Sequence, residues 1–136
     1  MRAYFSRRYR LSASHRLHSD ALTDEQNRST YGKCNNPFGH GHNYIVEVTA
    51  GGQVDAETGM VCNLVDLDGC VHKLVIERFD HTNLNLDPMF QKLVPTTENL
   101  TIEIFQILKE AFRPAEIVRV RVEETSNNFF EYSGEA

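Results

Sequence analysis

Two histidines separated by one glycine, His40 and His42, follow the cysteine Cys34 in the stretch GKCNNPFGHGHNY, residues 32–44. On a strand the side-chain period of two turns both imidazoles to one face, as a shared metal ion requires. Alone, the pair reads equally well as two solvated loop histidines. His15 adds a third nitrogen, because it ends an alternating N-terminal segment suited to pair with the strand that His40 opens. Three protein ligands with one open position is the catalytic zinc pattern, whereas structural zinc is usually closed by four. His18 competes with His15 but lies in a polar segment and reads as solvated. Cys34 has three readings: a fourth ligand, a small buried hydrophobe, or a reactive thiol beside the metal. The last needs help, because the thiolate is the reactive form and a free thiol titrates near pH ~8.5.

Further along, FDHTNLN (residues 79–85) places Asp80 and His81 side by side, either as a helix end with a surface histidine or as a proton-relay pair. Glu124 continues the row of Val118, Val120 and Val122, where it marks the strand's exit into water or anchors a ring bearing adjacent N–H donors. Thr96, Thr97 and Glu98 in PTTEN read as a helix start whose hydroxyls and first-turn acid suit capping, with free backbone N–H groups open to a ligand. His72, Cys62 and Cys70 read as structural.

The elements that must carry these residues follow from period. Residues 3–15 alternate and predict a half-buried strand. Residues 18–39 are polar and aperiodic, the pattern of a long functional loop, and residues 43–50 alternate again. From Asn63, a cap, Leu64, Leu67, Val71, Leu74, Val75 and Phe79 form a helical stripe interrupted by Arg78. Leu100, Ile104, Ile107, Leu108 and Ala111 form a second stripe, which Pro114 closes. Period two returns over residues 117–125, and a turn leads to a last strand, Phe129–Tyr132. The order strand, strand, helix, helix, strand, strand predicts an α+β fold, a four-stranded antiparallel sheet with two helices on one face.

A chain of 136 residues with 40% hydrophobic content reads as one domain, residues 1–136. No run of ~18 apolar residues occurs and the N-terminus lacks a signal-like segment, so the expectation is a cytoplasmic protein without membrane association. Three cysteines argue against a disulfide framework. A net charge of −5 without a long basic run excludes nucleic acid as the expected partner.

SASHRLHS, GKCNNPFGHGHNY, FDHTNLN, PTTEN and VEETSNN, in this order and at these separations, resemble the 6-pyruvoyl-tetrahydropterin synthase family, which includes the bacterial 6-carboxytetrahydropterin synthases of queuosine biosynthesis. The resemblance implies a tunnelling fold, in which sheets of three subunits close into a barrel, two trimers stack into a hexamer, and active sites lie at subunit interfaces. It also implies that His15, His40 and His42 hold Zn2+, that Cys34 abstracts a proton, and that His81 relays with Asp80 in support. Glu124 then holds the pterin ring and is sometimes counted in the relay as a catalytic residue, while Thr96, Thr97 and Glu98 line the pterin pocket. The implied substrate is 7,8-dihydroneopterin triphosphate. Five residues between Cys34 and His40, within KCNNP, resemble the pyruvoyl branch, which serves tetrahydrobiopterin; the carboxy branch commonly has a shorter spacing. Thr82, where a lysine often stands, and the bulky Phe38 depart from the family pattern. Arg10, Arg16 and Lys33 are candidates for the triphosphate by proximity to the motifs.

Overall fold

A computed structural model describes residues 1–135. Strand β1 (Arg2–His15) and strand β2 (His40–Gln53) pair antiparallel over their whole length, from Arg2 opposite Gln53 to His15 opposite His40. Beyond β2 lie β4 (Glu116–Thr125) and the edge strand β5 (Asn128–Tyr132), both antiparallel. The expected four-stranded sheet is extended by a fifth strand, β3 (Thr82–Asn83), which pairs parallel to β1 at Ala13 and Ser14. The sheet is therefore mixed, in the order β3-β1-β2-β4-β5. Two residues are too few for a period to show.

The polar stretch between β1 and β2 is more ordered than its composition predicts. Thr23 and Gln26 form a reciprocal capping box at the start of helix α1 (Asp24–Tyr31), each side chain accepting the other's backbone N–H. Buried Asn27 draws the preceding loop onto this helix by donating to the carbonyls of Ser19, Leu22 and Thr23 and accepting the Ser19 N–H. A 3₁₀ turn, Gly32–Asn35, follows and carries Cys34.

Helix α2 (Leu64–Val71) starts where expected, with the Asn63 side chain accepting the Val65 N–H at 2.8 Å. It continues through a π-helical turn, His72–Ile76, and a last turn, Glu77–Phe79. The extra residue of the π turn lets Val71, Val75 and Phe79 all reach the core while Arg78 turns outward to pair with Asp87. Helix α3 (Thr97–Ala111) is capped by Thr96, whose hydroxyl accepts the Asn99 N–H.

Both α2 and α3 bury their stripes against one sheet face. Leu67, Val71, Val75, Phe79, Leu100, Ile104 and Leu108 meet Leu11, Ala13, Tyr44, Val46, Val48, Val120 and Val122. Each of the larger aliphatic and phenylalanine side chains contributes roughly 1.5–3 kcal/mol of transfer free energy, which fixes the sheet rigidly beneath the site. The expected inward row of β4 needs one correction. Its register shifts at Thr49/Ala50, so Ile117 rather than Val118 is buried below Val120. The opposite sheet face is polar, with Arg8–Glu47 at 3.1 Å, Arg119–Glu131 at 3.4 Å and Arg121 stacked over Phe129.

Candidate active site

The β1–β2 register sets His15 directly opposite His40 and Ala13 opposite His42, so three imidazoles gather at one end of the inner face. Their ring centroids lie 4.6–5.1 Å apart. All three Nε2 atoms are buried without a hydrogen-bond partner among the described residues, an arrangement that costs stability unless a ligand takes up the lone pairs. His15 is 1% exposed, and its Nδ1 lies 2.8 Å from the Pro95 carbonyl. A carbonyl only accepts, so Nδ1 carries the proton and Nε2 presents a lone pair, the form in which imidazole binds a metal. Burial holds His15 and His42 below the usual histidine range, favouring the neutral ligand state. Tyr44, at 3.4 Å from His15 Nδ1, floors the site, and burial raises its phenol well above the usual value.

Cys34 and Glu124 flank the histidines. Possible ligand atoms of His15, Cys34 and His40 lie within 4.8 Å of one another, and so do those of His15, His42 and Glu124. The thiol is thus close enough to reach a metal held by His15 and His40. Burial pushes its pKa up and the Glu124 carboxylate adds to the shift, so the free thiol stays protonated near neutral pH. Glu124 sits where the β4–β5 register shifts between Glu123 and Thr125. It keeps the parity of the buried Val120 and Val122, and Oε1 comes to 3.1 Å from His42 Nε2 without hydrogen-bond alignment.

Pro95 joins the start of α3 to this cluster. Thr97 is buried with an unpartnered hydroxyl, Thr96 spends its hydroxyl on the cap, and Glu98 is exposed. Asp80 and His81 stand elsewhere. Asp80 accepts the Ser12 N–H at 2.8 Å, and His81, held at φ +57°, has a side chain 82% exposed. It borders a groove with Ser12, Ser14 and Asn43, residues of the opposite strand parity from the metal-facing histidines, and with Thr82 and His42. Among the described residues, neither candidate metal group includes Asp80 or His81. Thr82 donates its hydroxyl to the Phe79 carbonyl and closes the helix end. Phe38 projects at the loop tip, 98% exposed. His18 is not simply solvated, since its Nδ1 lies 3.2 Å from Asn35 Nδ2.

A groove of about 650 Å³ opens beside His40, lined by Arg16, Arg28 and Lys33 with one acid, Asp24. Arg10 instead borders a different groove, with Arg7, Asp68 and His72. Arg28 escaped sequence reasoning because it lies in α1, whose signal was the Thr23/Gln26 capping box rather than an apolar period.

The family model for 6-pyruvoyl tetrahydropterin synthase matches residues 4–135. The chain belongs to this family. The 6-pyruvoyl tetrahydrobiopterin synthase of Homo sapiens is 47% identical over 134 residues, covering 98% of this chain and 92% of its own. The solved structure of the Caenorhabditis elegans 6-pyruvoyl tetrahydropterin synthase superposes with a TM-score of 0.94 at 42% identity, covering 99% of this chain and 97% of that one. The 6-carboxy-5,6,7,8-tetrahydropterin synthase of Aquifex aeolicus stands further off, 28% identical over 166 residues that cover 99% of this chain and 100% of its own. As in the structure from C. elegans, the synthase fold here is α+β.

Proposed function

We propose that this protein, a single cytoplasmic synthase domain over residues 1–136, converts 7,8-dihydroneopterin triphosphate to 6-pyruvoyl-tetrahydropterin and releases inorganic triphosphate. The observation that carries the reading is the convergence of three buried, unpartnered imidazole nitrogens with Cys34 on one side and Glu124 on the other. His15, His40 and His42 would hold the metal, and three nitrogen ligands with an open position suit Zn2+. When bound, zinc supplies Lewis acidity that polarises the substrate's hydroxyl-bearing side chain and a positive charge that favours thiolate.

Cys34 acts as the base that takes up a carbon-bound proton. Its burial and the nearby Glu124 oppose ionisation in the metal-free chain, so the thiol becomes basic only where a cation is present. Glu124 accepts from the adjacent N–H donors of the pterin ring, and the free hydroxyl of buried Thr97 offers a second polar contact to the ring. With Thr96 and Glu98 it forms the wall at the start of α3. The groove of Arg16, Arg28 and Lys33 receives the triphosphate, and its cations offset the repulsion that a chain of net charge −5 exerts on a polyanion.

Asp80 and His81 serve as the relay, His81 being supplied to a neighbouring copy's Cys34. The exposure of His81, at a groove that Ser12, Ser14 and Asn43 of the other sheet face help to line, supports this placement. So do the open sheet edges at β3 and β5 and the polar outer face, which suit three chains closing a barrel and two trimers forming a hexamer. The pyruvoyl branch is favoured over the carboxy branch by the five-residue spacing from Cys34 to His40 and by 47% identity to the human relative against 28% to the carboxy synthase. Mass analysis of the pterin formed by zinc-loaded protein tests the reading. A pyruvoyl product with released triphosphate is expected, a carboxyl product assigns the queuosine branch, and no triphosphate release refutes the activity.

A further inference from the structure

Past His15, β1 loses its strand partners, yet the next residues remain fixed. Asn85 is the reason on one side. Its Oδ1 accepts the Arg16 N–H at 2.7 Å and its Nδ2 donates to the Arg16 carbonyl at 2.9 Å. The carboxamide therefore bonds β1 as a peptide group of a longer β3 would, extending the ladder past Ser14–Asn83. On the other side, buried Asn35 donates to the Leu17 carbonyl at 2.8 Å, and the Leu17 N–H donates to the Cys34 carbonyl at 2.7 Å. Arg16 is held between them, and its Nε donates to the Asn35 carbonyl at 3.2 Å while its side chain lines the groove beside His40.

We propose that Asn85 is a positioning residue for phosphate recognition: by clamping both backbone groups of Arg16 it holds that guanidinium at the cationic groove. This inference rests on the reading of the groove as the triphosphate site. Among the described residues Asn85 hydrogen-bonds neither the histidines nor Cys34, so its link to the groove runs through Arg16. The two hydrogen bonds fix the backbone from which the side chain springs, and the Nε bond to the Asn35 carbonyl orders the side chain itself, whose ordering otherwise opposes binding.

The test uses inorganic tripolyphosphate as the probe, titrated calorimetrically into zinc-loaded protein, beside steady-state kinetics with the full substrate. Arg16→Ala is expected to weaken tripolyphosphate binding by roughly tenfold, the scale of one lost charge-assisted contact. Asn85→Leu should weaken it by a similar factor, and the double variant by no more than either single change, because both act through one group. KM should rise with kcat retained. Asn85→Asp keeps the acceptor for the Arg16 N–H and loses the donor, so it should fall between wild type and Asn85→Leu, and it carries the test should the leucine variant fail to fold. Wild-type tripolyphosphate affinity in the Asn85 variants, or additive losses in the double variant, would overturn the positioning role while Arg16→Ala still reports the groove. Wild-type affinity in Arg16→Ala would overturn the groove reading itself, and the role of Asn85 with it.

Discussion

Gly39, the first glycine of the Gly-His-Gly-His run, carries a constraint that can be isolated. Its φ is +72°, and a Cβ placed there would lie 3.0 Å from the His15 carbonyl oxygen and 3.3 Å from its carbon. Those atoms belong to the strand backbone that pairs with His40 and cannot rotate away. Gly59 has the same φ of +72° with nothing within 4 Å of the position. Gly59→Ala therefore meets only the left-handed cost of roughly 1–2 kcal/mol, partly offset by about 0.4–1 kcal/mol of reduced unfolded-state freedom. Gly39→Ala adds the collision, roughly 1–3 kcal/mol by analogy with overpacking. Urea unfolding of the metal-free protein should resolve that difference between the two variants. Because the collision parts His15 from His40, zinc affinity measured by chelator competition should also fall about 10–100-fold in Gly39→Ala, the usual scale for disturbing a ligand's support, and stay unchanged in Gly59→Ala. Equal destabilisation by the two substitutions, or unaltered zinc affinity in Gly39→Ala, would refute the argument.

Cys34→Ala should retain stoichiometric zinc and lose about 10²–10⁴-fold in kcat, the contribution of a general base; loss of zinc instead identifies Cys34 as a ligand. Mixing inactive Cys34→Ala and His81→Ala chains should restore turnover if His81 serves a neighbour's cysteine, and leave the mixture inactive if both groups belong to one chain's site. Burial keeps His15 and His42 below the ordinary histidine value of 6.5, so below about that pH the unfolded chain binds more protons than the folded one. Stability of the metal-free protein should accordingly be complete above pH ~6.5 and decline as pH falls further, with a shallower decline in His15→Asn, measured as urea midpoints across pH 5–8.

Period carried most of the architecture. The alternation of β1, β2 and β4 and the stripes of α2 and α3 each reflect one buried face, and a buried face is what composition along a strand or helix encodes. Val118 was misplaced because a register shift depends on what Thr49 and Ala50 do across the sheet, which residues of β4 do not carry. The fifth strand was invisible for a related reason, since Thr82 and Asn83 are a strand only by virtue of Ala13 and Ser14. The three histidines were legible because their parity alone brings them together once β1 and β2 pair. Asp80 and His81 were legible as a chemical pair, but that neither joins the histidine cluster was not, because proximity along motifs says nothing about which face of a sheet a loop overhangs. Asn35 and Asn85 act through backbone groups, and no residue pattern announces such a contact.

The π turn in α2 fixes that segment as a ruler. One end is marked by the Asn63 cap and the other by Phe79 in the core and Asp80 on the Ser12 N–H. Deleting one residue from His72–Ile76 would relax the wide turn to plain α-helical spacing with both ends kept in place, whereas inserting one more would turn everything beyond by about 100° and lengthen the reach by about 1.5 Å. Phe79 would then leave the core and Asp80 would lose its hold on β1. Residue count, more than residue identity, is what the solvent side of this helix must keep, so substitutions there should be freely tolerated where a further insertion is not.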